Sequence, residues 1–199
     1  MSILRRSKAP LSQAAWAEID EQARHCFEAT LSVRRFSDVE GPHGLDYVAA
    51  PSGRLEVPNA QPQAGARYGV AQLHPLVEVR VPFELSMWEL DNISRGAKDI
   101  DLDPLETAAW ETARFEETTV YNGLQNGGIK ALTETSEHKP VPLGKDRANI
   151  IPAVAQAVTQ LRKSMVEGPY AMVVTEEDWQ HLLSAVSGLP LKHHVEYIL

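Results

Sequence analysis

Residues 51–68 limit this chain more than any other stretch. Pro51, Gly53, Pro58, Pro62 and Gly65 interrupt it, with few apolar side chains between them. Proline cannot give an N–H to a ladder and glycine weakens regular structure, so neither a long helix nor a central strand survives there. The pattern predicts a long excursion, a two-stranded arm with a loose tip around Asn59 to Gly65. Such an arm has too little apolar surface to bury itself. Long segments of this kind are usually functional or disordered.

The rest of the chain can fold. Its 199 residues are 43% hydrophobic, and a chain of this length buries roughly 70% of its unfolded surface. One compact domain or two small ones are expected. A net charge of −8 argues against sequence-independent nucleic-acid binding, which needs clustered Lys and Arg against phosphates. Cys26 is the only cysteine, which excludes an internal disulfide and a Cys-cluster metal site. The start, Met1 to Arg6, is basic but lacks the apolar stretch of a signal peptide. No run approaches the roughly 18 apolar residues of a membrane span. A cytoplasmic protein with neither membrane nor nucleic-acid partner is the expectation.

Ser12 is placed to cap a helix running to about Leu31. Trp16, Ile19, Ala23, Phe27 and Leu31 form its apolar face, opposite Glu18, Glu21, Gln22, Arg24 and Glu28. Short strands are predicted at 34–39 and 45–50, around the turn Gly41-Pro42-His43-Gly44. The clearest alternation is Val77 to Leu85, with Val77, Val79, Val81, Phe83 and Leu85 on one side. Ser86 and Glu89 match a capping box, with Leu85 and Leu90 at the staple positions. Asp103-Pro104 opens the longest helix as N-cap and first turn. Leu105, Ala108, Ala109, Thr112, Phe115 and Thr119 share one face, and Asn122-Gly123 stops it in the left-handed position. Asn149 caps a further helix buried through Val154, Val158, Leu161 and Met165. An apolar strand follows at 170–174. Thr175 caps a helix whose Trp179, Leu182, Leu183 and Val186 face inward, and residues 191–199 form a last amphipathic segment.

The residues that carry chemistry do not assemble into a catalytic pattern. His193-His194 and His25-Cys26 are sequence neighbours, and neighbours on a helix point about 100° apart. Phosphate-cradling glycine loops, H-E-x-x-H and G-x-S-x-G are all missing. Asp99, Asp101 and Asp103 alternate, but without the glycine and distal glutamate of a calcium loop. Capping and solvation explain them better. Neither catalytic residues nor a metal site are assigned. Trp88 falls at the second position of a capped helix, where side chains are often exposed. Packing or an interface is its plain use. A stacking face for a planar ligand such as a flavin, with no cofactor otherwise required, is the sharper one.

Several segments, in order, resemble the encapsulin family of nanocompartment shell proteins, also called linocin-type bacteriocins. They are Ala9-Pro10-Leu11-Ser12 with Trp16-Ala17-Glu18-Ile19-Asp20; Arg34-Arg35-Phe36-Ser37-Asp38-Val39 through Gly44; Pro75-Leu76-Val77-Glu78-Val79-Arg80-Val81-Pro82-Phe83; Trp88-Glu89-Leu90-Asp91-Asn92; and Glu167-Gly168-Pro169-Tyr170. The resemblance implies an α+β chain with the major-capsid fold of tailed bacteriophages. Residues 1–48 would hold the N-terminal helix and the start of a peripheral domain. The arm would span 49–70. Residues 71–145 would complete the peripheral domain, with a spine helix at 103–122, and 146–199 would form an incomplete axial domain. Family members normally continue well past Leu199, so the strands completing both domains are expected to be missing.

The implied function is that of a non-enzymatic subunit tiling with itself into an icosahedral shell, the smallest T=1 class favoured. The shell would enclose ferritin-like proteins or dye-decolourising peroxidases for iron storage or oxidative-stress defence. Each cargo carries a terminal targeting peptide. Its docking site carries over to Phe27 and Leu31 as apolar contacts and to Arg34 and Asp38 as polar ones. The plain alternative is that Phe27 and Leu31 are simply core. Ser187, Gly188 and Leu189 would surround a fivefold pore with little charge selectivity. Two other readings are a secreted bacteriocin or protease-like activity, and a cargo-free phage capsid remnant.

Overall fold

The computed structural model describes residues 5–144, 146–186 and 189–199. It shows helices with two small antiparallel sheets, the helix and sheet mixture expected. Two compact units are present, Met1–Glu134 and Thr135–Leu199.

In the first unit, α1 (Gln13–Thr30) begins where Ser12 Oγ accepts the Ala15 N–H at 3.1 Å. Ala15 and Ile19 of this helix meet Leu90 of α2 (Met87–Arg95) and Leu102 and Leu105 at the start of α3 (Asp103–Asn122). Trp16, Ala23, Leu85 and Ile93 pack around that cluster. Leu85 and Leu90 thus form the expected staple. The capping box does not form. Ser86 makes no capping bond, and the Glu89 carboxylate instead lies 3.5 Å from the Asn92 amide. Gly96 closes α2 in the left-handed conformation, with Gly96 and Ala97 N–H groups donating to Ile93 and Asn92, both at 3.0 Å.

Helix α3 runs over the span expected of the spine. Its start is held by Asp101, whose Oδ1 accepts the Asp103 N–H at 3.1 Å, so the capping carboxylate comes from Asp101 and not Asp103. The buried face is Leu105, Ala108, Ala109, Ala113 and Thr119. Phe115, expected there, is 38% exposed, while Ala113 is buried in this stretch. Gly123 ends the helix with φ 78° but ψ 167°, extended and not left-handed helical. A Cβ there would meet the Ala131 N at 2.8 Å and the Ile129 O at 2.9 Å, so the returning chain requires glycine.

The excursion is a hairpin of β1 (Ala49–Glu56) and β2 (Val70–Pro75), paired from Ala49↔Pro75 to Glu56↔Val70 with an irregularity between Pro51 and Leu55. The Gln61 side chain closes the tip, donating to the Pro58 and Tyr68 carbonyls and accepting the Tyr68 N–H, at 3.0 to 3.1 Å. No residue of either strand is buried.

Three expected strands are not strands. Val33–Arg35 is a 3-10 turn, tied down by α3 as described below. Residues 76–85 have no strand partner among the described residues beyond the Leu76 N–H bond to Val48 O at 3.0 Å. Alternation suits a sheet, but only a neighbouring strand makes one. Residues 170–174 likewise lie outside any sheet, and Met172 and Val174 pack on helices instead.

The second unit joins α4 (Arg147–Lys163), α5 (Glu176–Leu183), a two-residue ladder of β3 (Ala185–Val186) with β4 (Leu189–Pro190), and α6 (Leu191–Ile198). Ile150, Val154, Leu182, Leu191 and Val195 are its core. Asp146, not Asn149, is the residue preceding α4. Thr175 caps α5, its hydroxyl accepting the Asp178 N–H at 3.2 Å. Met165 is 90% exposed, with φ 61° just past the end of α4, so it leaves the buried stripe. Leu183 and Trp179 are also largely outside, at 47% and 40% exposure. Of the expected pore residues, Ser187 and Gly188 lie outside the described residues, as do the side chains of Leu189 and Val186. No helix among the described residues is long and apolar enough to cross a membrane.

Candidate docking groove

The C-terminal half of α1, the turn after it and the middle of α3 enclose an open groove of about 820 Å³. Along α1, Ala23, Phe27 and Leu31 follow at four-residue steps and form an apolar row. Asp20, Arg24 and Glu28, spaced the same way, form a charged row beside it. Leu31 is buried, at 6% exposure, while Phe27 is half-buried. Thr112 and Glu116 supply the wall from α3, and Arg34 and Arg35 close one end.

That end is fixed by carboxylates of α3. Arg34 makes a two-pronged ion pair with Glu116, at 2.7 and 2.8 Å. The hydrogen bonds to Glu116 raise the Arg34 pKa, against a smaller opposing effect of burial. Glu117 accepts the Val33 N–H at 3.0 Å and the Ser32 hydroxyl, which also lies 2.9 Å from the Tyr121 hydroxyl. Arg35 donates to the Glu28 and Ala29 carbonyls at 3.0 and 3.4 Å, where a cation answers the negative end of the helix. The turn is therefore clamped from both helices.

At the other end, Arg6 holds Asp20 through two contacts of 2.6 Å and lies over the Trp16 ring at 4.7 Å. The Arg6 hydrogen bonds lower the Asp20 pKa. Across α1, a second depression is lined by Gln22, His25, Cys26, Glu106 and Trp110. Burial, then the Glu106 charge, push the Cys26 thiol up, which keeps it protonated and a poor nucleophile.

The structure brings Phe27, Leu31 and Arg34 to one groove. Asp38 is exposed beyond the turn and is not among the lining residues. The wall residues Thr112 and Glu116 were not anticipated as part of a site. Their one signal is spacing, since Glu116 follows Thr112 by four and so comes to the same side of α3, although only Thr112 was on the predicted apolar face. Trp88 is 76% exposed, with no ring or cation against its indole among the described residues. Residues 99–103 gather no ion site, as no group of three or more metal-ligating side chains occurs among the described residues.

The comparisons with known proteins agree with one another. A family model described as "Encapsulating protein for peroxidase" (Linocin_M18) matches residues 1–199. A type 1 encapsulin shell protein of Rhodospirillum rubrum is 37% identical over 98% of this chain and 72% of its own length. Those of Rhodococcus erythropolis and Mycolicibacterium paratuberculosis are 34% and 33% identical, each over 100% of this chain and 75% of theirs. These matches define the class: a structural, self-assembling shell protein and not an enzyme. The chain belongs to the encapsulin family, Linocin_M18.

Proposed function

We propose that this chain is the repeating subunit of a T=1 icosahedral shell in the cytoplasm, with the tailed-phage capsid fold. Residues 1–48 and 71–145 form its peripheral domain, 49–70 its arm and 146–199 its axial domain. The α1 groove receives the terminal targeting peptide of a cargo enzyme. A peroxidase is the cargo favoured by the family's description; a ferritin-like protein suits the same groove. Oxidative-stress defence or iron storage follows from which is held.

The observation that carries the reading is the groove itself. It has an apolar floor, a half-buried Phe27 that no core cluster claims, and a polar end. Glu116 neutralises Arg34 but takes only part of its donor fork. The remaining N–H groups are free for the carbonyls of an extended peptide. Asp38, exposed beyond the turn and outside the groove's lining, is proposed as a second polar contact for a peptide that extends past Arg34.

Replacing Phe27 with Asp tests it. Shells of unchanged size are expected, with co-purification of a peptide-tagged cargo reduced at least about tenfold, since burying one aromatic contributes roughly 1.5–3 kcal/mol. Undiminished loading refutes the docking site. Trp88 is proposed as a stacking face for a flavin. Titrating riboflavin into shells should quench tryptophan fluorescence in the parent and less so in Trp88→Ala; equal quenching removes the assignment.

A further inference from the structure

We infer that the end of α4 is a contact between copies of this chain. Met165 is its apolar anchor, and it meets the edge of α5 that carries Glu176, Trp179 and Leu183 in a second copy. The inference rests on the tiling reading above and not on the docking groove.

Helix α4 ends in a loop held by its own backbone. The Val166 N–H donates to the Leu161 carbonyl at 3.0 Å and the Met165 N–H to the Arg162 carbonyl at 3.1 Å. In such an ending the residue at 165 turns left-handed, and glycine is its usual occupant because a Cβ there is strained. This chain places a methionine there, at φ 61° and 90% exposed. The second core does not include it. A strained position held by a long apolar side chain that its own unit leaves uncovered points to a use outside the subunit. Val166 is exposed beside it, and both border a depression with Arg162 and Tyr170. Arg162 lies over the Tyr170 ring at 5.9 Å. Neither Arg162 nor Lys163 has a carboxylate partner among the described residues, and Glu167 on the same rim pairs with neither. The end of α4 is therefore an apolar knob flanked by two cations.

Its complement lies on the same unit. Glu176, Trp179 and Leu183 follow along α5 at steps of three and four, so they share one side of it. All three are exposed. Neither Glu176 nor Glu177 has an ion-pair partner among the described residues. Acids at the start of α5 and bases at the end of α4 suit the helix dipoles, but that accounts for neither Met165 nor the exposed Leu183. The two patches of one copy are apart. A depression joins Glu177 and Asp178 to Ile150 in the first turn of α4, and about 20 Å of helix separates Ile150 from Lys163. A second copy brings base to acid and apolar to apolar at once. Membership of a self-assembling family supplies that copy. Because the two patches differ, each copy can use both of its own.

Native mass by light scattering over a series of protein concentrations tests it, with far-UV circular dichroism as the check on folding. Met165→Gly suits the backbone at that position and removes only the side chain. Helix content should hold while the concentration needed for assembly rises about tenfold. Arg162→Glu with Lys163→Glu should weaken assembly by about tenfold, since like charges then face one another. Glu176→Lys with Glu177→Lys should do the same. All four charge reversals together should restore assembly to within about threefold of the parent, a rescue that a misfolded unit does not give. Assembly of Met165→Gly at the parent's concentration, or no rescue by the combined reversal, overturns the inference and leaves tiling standing. Lost helix content in Met165→Gly would mean that the side chain supports its own unit, and overturns it also. If the parent itself stays subunit-sized, the tiling reading falls and the inference with it.

Discussion

Excising residues 52–72 and joining Pro51 to Leu73 through a two-glycine turn is expected to reduce the assembled shell to subunit-sized species, about a tenth lighter than the 22.0 kDa of the whole chain. Pro51 and Leu73 are partners in the hairpin register, so the cut ends already lie side by side. The subunit should lose nothing by it. Both strands are open to water, and neither core cluster takes a residue from them. The hairpin does carry apolar side chains: Leu55, Val57, Tyr68, Val70 and Leu73 are each more than half exposed. A two-stranded hairpin is marginal alone in water. On the shell reading proposed above they are buried against another copy, at roughly 1.5–3 kcal/mol for each one fully covered. Symmetry repeats every such contact around the shell.

The measurement is native mass by light scattering, with far-UV circular dichroism as the check on folding. An unchanged helix signal with lost assembly is the expected pair of results. The double variant Leu55→Asp with Leu73→Asp should act in the same direction without shortening the chain. A full-sized shell from the excised chain would show that the arm is dispensable to tiling.

The same contrast between local and distant interactions explains what could be read from residues alone. Helix α1 was legible because its stripe, its Ser12 cap and its length all lie within one segment. Helix α3 was legible for the same reason, apart from a capping carboxylate two residues earlier than expected. The arm was legible by exclusion, through its prolines and glycines. By contrast, the alternation from Val77 to Leu85 is a genuine strand pattern, but pairing depends on a partner distant in sequence. The groove divides likewise. Phe27 and Leu31 lie on one helix and share a face by spacing. Arg34 and Glu116 are 82 residues apart, and no period links them. Glu117, off the apolar face predicted for α3, holds the turn through Val33 and Ser32. That role depends on how two helices pack, which their separate sequences do not disclose.

Leu191→Ala is expected to unfold the second unit selectively. Leu191 is 1% exposed and the largest fully buried side chain among the described residues. It opens α6 and packs with Ile150 and Val154 of α4, Leu182 of α5 and Val195, so one side chain joins three helices. Truncating a buried leucine costs about 2–5 kcal/mol. A unit of roughly 65 residues buries only about 60% of its unfolded surface, and stability near 0.05–0.15 kcal/mol per residue gives it roughly 3–10 kcal/mol in all. The substitution therefore removes a large share of what holds the unit together. Hydrogen exchange by mass spectrometry should show peptides of α4 and α6 losing protection about a hundredfold, since 1.4 kcal/mol is a factor of ten. Peptides of α1 and α3 should stay protected, because the first core contains no residue of the second unit. Trp179 gives an independent signal, as its ring lies under the Lys192 ammonium at 4.8 Å. The control is Tyr197→Ala on the same helix, at 93% exposure, where a change within about 0.5 kcal/mol is expected. Exchange in Leu191→Ala within threefold of the parent would mean that the helices hold without this side chain, and that the second core is not where the unit's stability resides.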